Sequence, residues 1–208
     1  HPVGISMPPE TQNGFAQLAS SQQIPLAMQP VAPITLCSGT SDPERTAEAT
    51  IWAAIGYWRM DRGEPQAAIV ALKRSEATAN SRDASAWCRL AQARAMVAMS
   101  QMQAATAILI PLASENEGSP LACAAMAELG ALKVSSGMTN QGMTLLKKAL
   151  ETQPAVDWPG RSSAEADLGL ALLLSGEDVQ GLKWLEQARR GFENRGDMES
   201  VAQTLWNE

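Results

Sequence analysis

Apolar and small side chains return along most of this chain every three or four residues, and glycine or serine interrupts them at even distances. That period predicts helices near residues 43–61, 65–79, 83–98, 101–115, 120–135, 139–152, 162–174, 178–193 and 197–206. Asp42-Pro43-Glu44 reads as an N-cap, a proline at the first helical position and an acid in the first turn. Other expected starts are Asp83 before Ala84-Ser85-Ala86, Ser119 before Pro120, and Ser162 with Glu165 as a capping box. No strand pattern competes. Aromatic residues are 4% of the chain and alanine leads the apolar residues, a composition that suits packed helices better than sheets.

The interruptions repeat. Gly63, Ser100, Gly137 and Gly176 lie 37, 37 and 39 residues apart. Five residues after each stands a small residue, Ala68, Ala105, Gly142 or Gly181, and four further on a leucine, Leu72, Leu109, Leu146 or Leu185. Before the breaks come Gly56, Ala91, Gly130 and Gly169, three of them preceded by Ile55, Leu129 and Leu168. Small residues at fixed positions let two helices approach, and leucines one turn on fill the space between pairs. A unit of this kind cannot bury its apolar face alone, so copies stack into a solenoid.

These residues resemble the tetratricopeptide repeat, a helix–turn–helix unit of 34 residues. Trp52, Ile55, Gly56, Gly63, Ala68 and Leu72 fall in its register in the first unit; Leu129, Gly130, Gly137, Gly142, Leu146, Ala149 and Pro154 in the third; Leu168, Gly169, Gly176, Gly181, Leu185 and Ala188 in the fourth. The second, with Trp87, Leu90, Ala91, Ala105 and Leu109, lacks a turn glycine. The resemblance covers about residues 49–194. The spacing is longer than the family's, and Arg59, Arg94, Lys133 and Leu172 stand where it has tyrosine. The expected architecture is all-α: a Pro-rich arm over residues 1–44, four TPR-like antiparallel helix pairs over 45–194, and a C-terminal capping helix over 195–208 with Val201 and Leu205 inward.

The arm differs from the rest in kind. It holds Pro2, Pro8, Pro9, Pro25, Pro30, Pro33 and Pro43 and no lysine or arginine. Proline at this density excludes long helices and central strands. Ile24, Leu26, Met28, Val31, Ile34 and Leu36 predict an extended segment that lies on an apolar surface, against the alternative of a flexible leader.

Composition narrows the function. The net charge of −6 speaks against a nucleic-acid surface, and no apolar run approaches the ~20 residues of a membrane span. The one histidine is His1, so Ser-His-Asp and Cys-His machinery has no imidazole within the helices. There is no phosphate-binding glycine loop, HExxH or CxxC. Cys37, Cys88 and Cys123 are not spaced as a metal site; Cys88 and Cys123 read as buried small hydrophobes. Met96, Met99 and Met102 read as packing rather than a metal cluster. Glu177-Asp178, Lys147-Lys148 and Arg189-Arg190 suit helix ends. Neither an enzyme nor a cofactor is expected. A chain that begins at His1 suggests a processed, extracytoplasmic protein, periplasmic or secreted, with a cytoplasmic location as the alternative.

The resemblance also implies a concave face lined by the first helix of each unit. Its expected partner-binding residues are Tyr57 and Met60 in the first unit; Cys88, Gln92 and Met96 in the second; Ala131 and Val134 in the third; and Leu170, Leu173 and Leu174 in the fourth. Trp58 is added as a partly exposed anchor, whereas Trp52 and Trp87 are assigned to the core. That lining is apolar and small, suited to an apolar or extended segment of a protein partner. The expected function is a non-enzymatic protein–protein interaction module, an accessory or assembly factor. The alternative is a structural subunit of a larger hetero-complex whose arm wraps a neighbour.

Overall fold

A computed structural model describes residues 43–115, 117–152 and 158–207. Among these residues there are nine helices and no strand: α1 Pro43–Asp61, α2 Pro65–Thr78, α3 Arg82–Ala98, α4 Met102–Ser114, α5 Pro120–Ser135, α6 Thr139–Glu151, α7 Arg161–Leu174, α8 Asp178–Arg195 and α9 Met198–Asn207. Consecutive helices pack as antiparallel pairs, α1 with α2 through α7 with α8, and each pair stacks on the next. The expected arm lies outside the described residues apart from Pro43 and Glu44, as do Cys37, Pro154 and Asp157.

The turn inside each pair is the same hydrogen-bonded structure four times. Gly63, Ser100, Gly137 and Gly176 all have left-handed backbone, with φ of 70, 60, 79 and 78°. Each donates its N–H to the carbonyl three residues back, at 2.8–3.0 Å, and the next residue donates to the carbonyl five back, at 2.9 Å. This pair of hydrogen bonds satisfies carbonyls that a helix end leaves without a partner. Ser100 therefore occupies the glycine position of its unit despite its Cβ.

The repeated glycines place the helices of the first, third and fourth pairs in near contact. A Cβ on Gly56 would stand 2.6 Å from Leu72 Cγ, and one on Gly169 would stand 2.9 Å from Leu185 Cγ and from the Gly181 carbonyl oxygen. Leu72, Leu109, Leu146 and Leu185 are all fully buried. Each such side chain contributes roughly 1.5–3 kcal/mol by leaving water. The largest apolar cluster runs without a break from Ala86 in α3 to Leu172 in α7, with smaller clusters closing the first unit and the C-terminal end. Trp52 and Trp87 are buried in it or beside it, and Met96 and Met102 pack on its edge.

Three local expectations are corrected. The N-cap of α3 is Ser81, whose Oγ accepts the Ala84 N–H at 3.0 Å; Asp83 lies in the first turn, where the helix dipole favours an acid. Ser162 and Glu165 form no capping box, because α7 begins after Gly160 and both side chains are buried. Glu165 instead accepts bonds from Arg161 at 3.2 Å and from Gln187 of α8 at 2.7 Å. In α9 Val201 is buried as expected, but Leu205 is exposed and Thr204 takes the inward place, three rather than four residues on.

Candidate protein-binding face

The first helices of successive units, α1, α3, α5 and α7, touch one another and form a continuous inner wall. On that wall Tyr57, Met60, Met96, Ala131, Val134, Leu170 and Leu173 are half-buried, and Leu174 is 78% exposed at the end of α7. Tyr57 and Met60 rest on Ala68, Leu72 and Ala91; Met96 and Val134 rest on the main core.

Two of the expected residues are not at the surface. Cys88 lies 3.2 Å from Ser75 Oγ of α2, and that hydroxyl donates to the Ala49 carbonyl at 2.7 Å. The thiol is thus held among α1, α2 and α3, where a docking segment does not reach. Gln92 is also buried and donates to Glu76 Oε2 of α2 at 2.7 Å. Trp58 is half-buried, with the guanidiniums of Arg59 and Arg62 over its ring, 5.1 and 4.9 Å from the centroid. Arg59 and Arg62 also pair with Glu64, so the indole sits inside a small charged turn.

The wall is less apolar than the sequence suggests. Arg94 of α3 donates its Nε to Glu128 Oε1 of α5 at 2.6 Å, and Asp167 of α7 lies within electrostatic reach of Glu128. Burial, and then Glu128, push the Asp167 carboxyl up to about 6. Burial works against the charge on Arg94, but Glu128 and Tyr57 more than offset it and its pKa is raised. Burial also raises the Tyr57 hydroxyl, with Arg94 opposing. Four side chains from four successive units therefore share one electrostatic environment. Arg94 reaches further: its Nη2 stands 3.0 Å from where a Cβ on Gly160 would be, at the start of α7. At the ends, the Asp61 carboxyl is raised by burial and by Glu199 of α9.

Arg94, Glu128 and Asp167 were missed because each looks like an ordinary exposed helix charge. One signal was available. Glu128 and Asp167 both stand two residues before a pair-closing glycine, Gly130 or Gly169, and so share a register position. Among the described residues no group of three or more potential metal-ligating His, Cys, Asp and Glu side chains lies together, and no helix is long and apolar enough to cross a membrane.

No protein-family model matches the chain, and no curated protein matches it. Solved structures do. A crystal structure of MamA is similar over 93% of this chain and 99% of that one, at 19% identity and a TM-score of 0.51. The Q17M crystal structure of a putative kinesin light chain of Podosopora anserina, with nearly identical TPR-like repeats, is similar over 90% of this chain and 91% of that one, at 22% identity and a TM-score of 0.50. With the repeated left-handed turns and pair-closing glycines described above, these likenesses show that the chain has a TPR-like all-α solenoid fold.

Proposed function

We infer that this chain is a four-repeat, TPR-type protein–protein interaction module without catalytic activity, an accessory or assembly factor that holds a partner on its inner wall. The observation that carries this reading is the wall itself. Four first helices in series present half-buried Tyr57, Met60, Met96, Val134, Leu170 and Leu173, with Leu174 projecting at one end. Apolar side chains that stay partly wet on a rigid surface favour a docked apolar segment, since covering them recovers hydrophobic free energy at little ordering cost. Arg94, Glu128 and Asp167 add polar groups that orient such a segment more than they tighten it.

Leu174→Glu tests the reading. The residue is too exposed to support the fold, so the melting temperature holds while the partner is lost. Copurification from the native source, followed by quantitative mass spectrometry, supplies the readout. A protein that accompanies the wild-type chain and is absent with Leu174→Glu supports binding through this wall. Equal recovery with both forms removes the wall as the site. A partner recovered at fixed stoichiometry marks the chain as a subunit of a hetero-complex, and a variable ratio marks an adaptor.

A further inference from the structure

We propose that residues 24–36 of this chain dock in cis along α1, over the strip formed by Ala47, Ile51, Ala54 and Trp58, and cap the first unit. The inference stands on the repeat register and holds whether or not the inner wall binds a partner.

In the first, third and fourth units the pair-closing glycine marks the side of the first helix that meets its own second helix; a Cβ on Gly56, for example, would strike Leu72 of α2. Residues five before and two after that marker lie on the opposite side of a helix with 3.6 residues per turn. In the second, third and fourth units the residues five before are Ala86, Ala125 and Ala164, exposed by 2, 0 and 2%. The residues two after are Ala93, Leu132 and Ala171, exposed by 0, 7 and 0%. This face is buried in those units because the second helix of the preceding unit packs on the first helix of the next.

Among the described residues no helix pair precedes the first unit, yet that unit carries larger residues at both positions. Ile51 stands where the other units have alanine, and Trp58 where they have alanine or leucine. Both are half-buried, and so is Ala54 between them, while Ala47 at the start of the strip is exposed. Among the described residues these bulky side chains end the stack, the reverse of the polar outer face that a terminal repeat needs, although Arg59 and Arg62 lie over the Trp58 ring. Ala47 and Ala54 alternate with Ile51 and Trp58 along this face, and that strip is the track of the proposal.

The chain before Pro43 has the composition and length to lie in that track. Residues 24–36 carry Ile24, Leu26, Met28, Val31, Ile34 and Leu36 with three prolines and no charge. Proline favours an extended chain at about 3.1 Å per residue, so thirteen residues span roughly 40 Å. The 19 residues of α1 span about 28 Å at 1.5 Å per residue. Six residues, 37–42, join the segment to Pro43, enough to reverse direction at the start of the helix. The segment would then run antiparallel to α1, past Ile51 and on to Trp58.

Hydrogen exchange on the full chain tests this, with light scattering to fix the mass. In the wild type, the amides within residues 26–36 should exchange at least tenfold slower than free-chain rates while the protein stays monomeric. Ile34→Asp with Leu36→Asp should abolish that protection and speed exchange in the first turns of α1. Ala54→Arg blocks the track from the other side and should have the same effect on residues 26–36; the fold tolerates it, because Arg89 occupies this position in the second unit. Free-chain exchange in the wild type overturns the proposal. So does protection that survives Ala54→Arg. Protection that rises with protein concentration alongside a dimer mass would assign the track to the arm of a second copy and overturn docking in cis.

Discussion

The carbonyl oxygen of Gly130 stands 2.6 Å from the point that a Cβ on Gly142 would occupy, so α5 and α6 meet backbone to backbone. The reciprocal distance, from a Cβ on Gly130 to the Gly142 carbonyl oxygen, is 3.0 Å. Alanine for glycine inside a helix normally adds about 1 kcal/mol through propensity. Here the obstacle is backbone, which cannot rotate away as a side chain does, and overpacking costs typically about 1–3 kcal/mol. Gly142→Ala should therefore destabilise by about 1–2 kcal/mol and lower Tm by several degrees in a thermal melt. Gly130→Leu should cost more, because Leu146 Cγ also lies 2.8 Å from its Cβ position. Unchanged melting points would refute the close approach.

Ser100 gives the opposite sign. It takes φ of 60° in a turn whose three counterparts are glycine. A side chain in this left-handed region costs roughly 1–2 kcal/mol, which glycine avoids while gaining freedom in the unfolded chain. Ser100→Gly should raise stability by about 0.5–1 kcal/mol, read as a higher denaturation midpoint with an unchanged slope. A loss of stability would mean that the hydroxyl has a role the turn geometry does not reveal.

Asp167 makes stability depend on pH in a stated direction. Its folded-state pKa, about 6, lies above the ordinary aspartate value of 3.8. Between those values the folded protein binds more protons than the unfolded chain, so this residue's contribution is fully present below about 4 and is lost as pH rises through 6. Asp167→Asn should remove that part of the pH profile and leave the variant more stable than the wild type at pH 7–8. Paired urea titrations at pH 4, 5, 6 and 8 isolate the difference from all other carboxylates. Parallel profiles would refute the shift.

Arg94 holds the inner wall together across units. Arg94→Met removes the cation that donates to Glu128, leaving Glu128 and Asp167 to repel each other in partial burial. The expected loss is roughly 1–3 kcal/mol, below that of a fully buried pair. A double-mutant cycle with Glu128→Gln should show coupling of about 1 kcal/mol or more. Additive effects would mean that the 2.6 Å contact contributes nothing to stability.

Periodic features were legible in the sequence because each repeats its physical cause locally. A glycine that closes a helix pair, a leucine one turn beyond its partner, and a left-handed residue at each turn needed no knowledge of distant parts of the chain. Even Ser100 was placed correctly by spacing alone, although its side chain disfavours the conformation it adopts. The same reasoning placed Trp52 and Trp87 in the core and Trp58 partly outside it. It misplaced the starts of α3 and α7 because capping depends on which hydroxyl reaches the free N–H groups. Ser81 does this, and Ser162 is buried instead.

The inner wall was decided by tertiary structure. Register alone assigns Cys88 and Gln92 to the concave face, but a helix in a stack has several neighbours. Ser75 and Glu76 of α2 draw those two side chains inward through hydrogen bonds that no spacing encodes. The meeting of Arg94, Glu128 and Asp167 arises in the same way, from residues separated by 34 and 39 positions whose charges become neighbours only once α3, α5 and α7 lie side by side. Repetition along the chain determined that helices pair and stack. The offset between stacked units, set by how their side chains interlock, determined which charges face one another and which apolar side chains remain open.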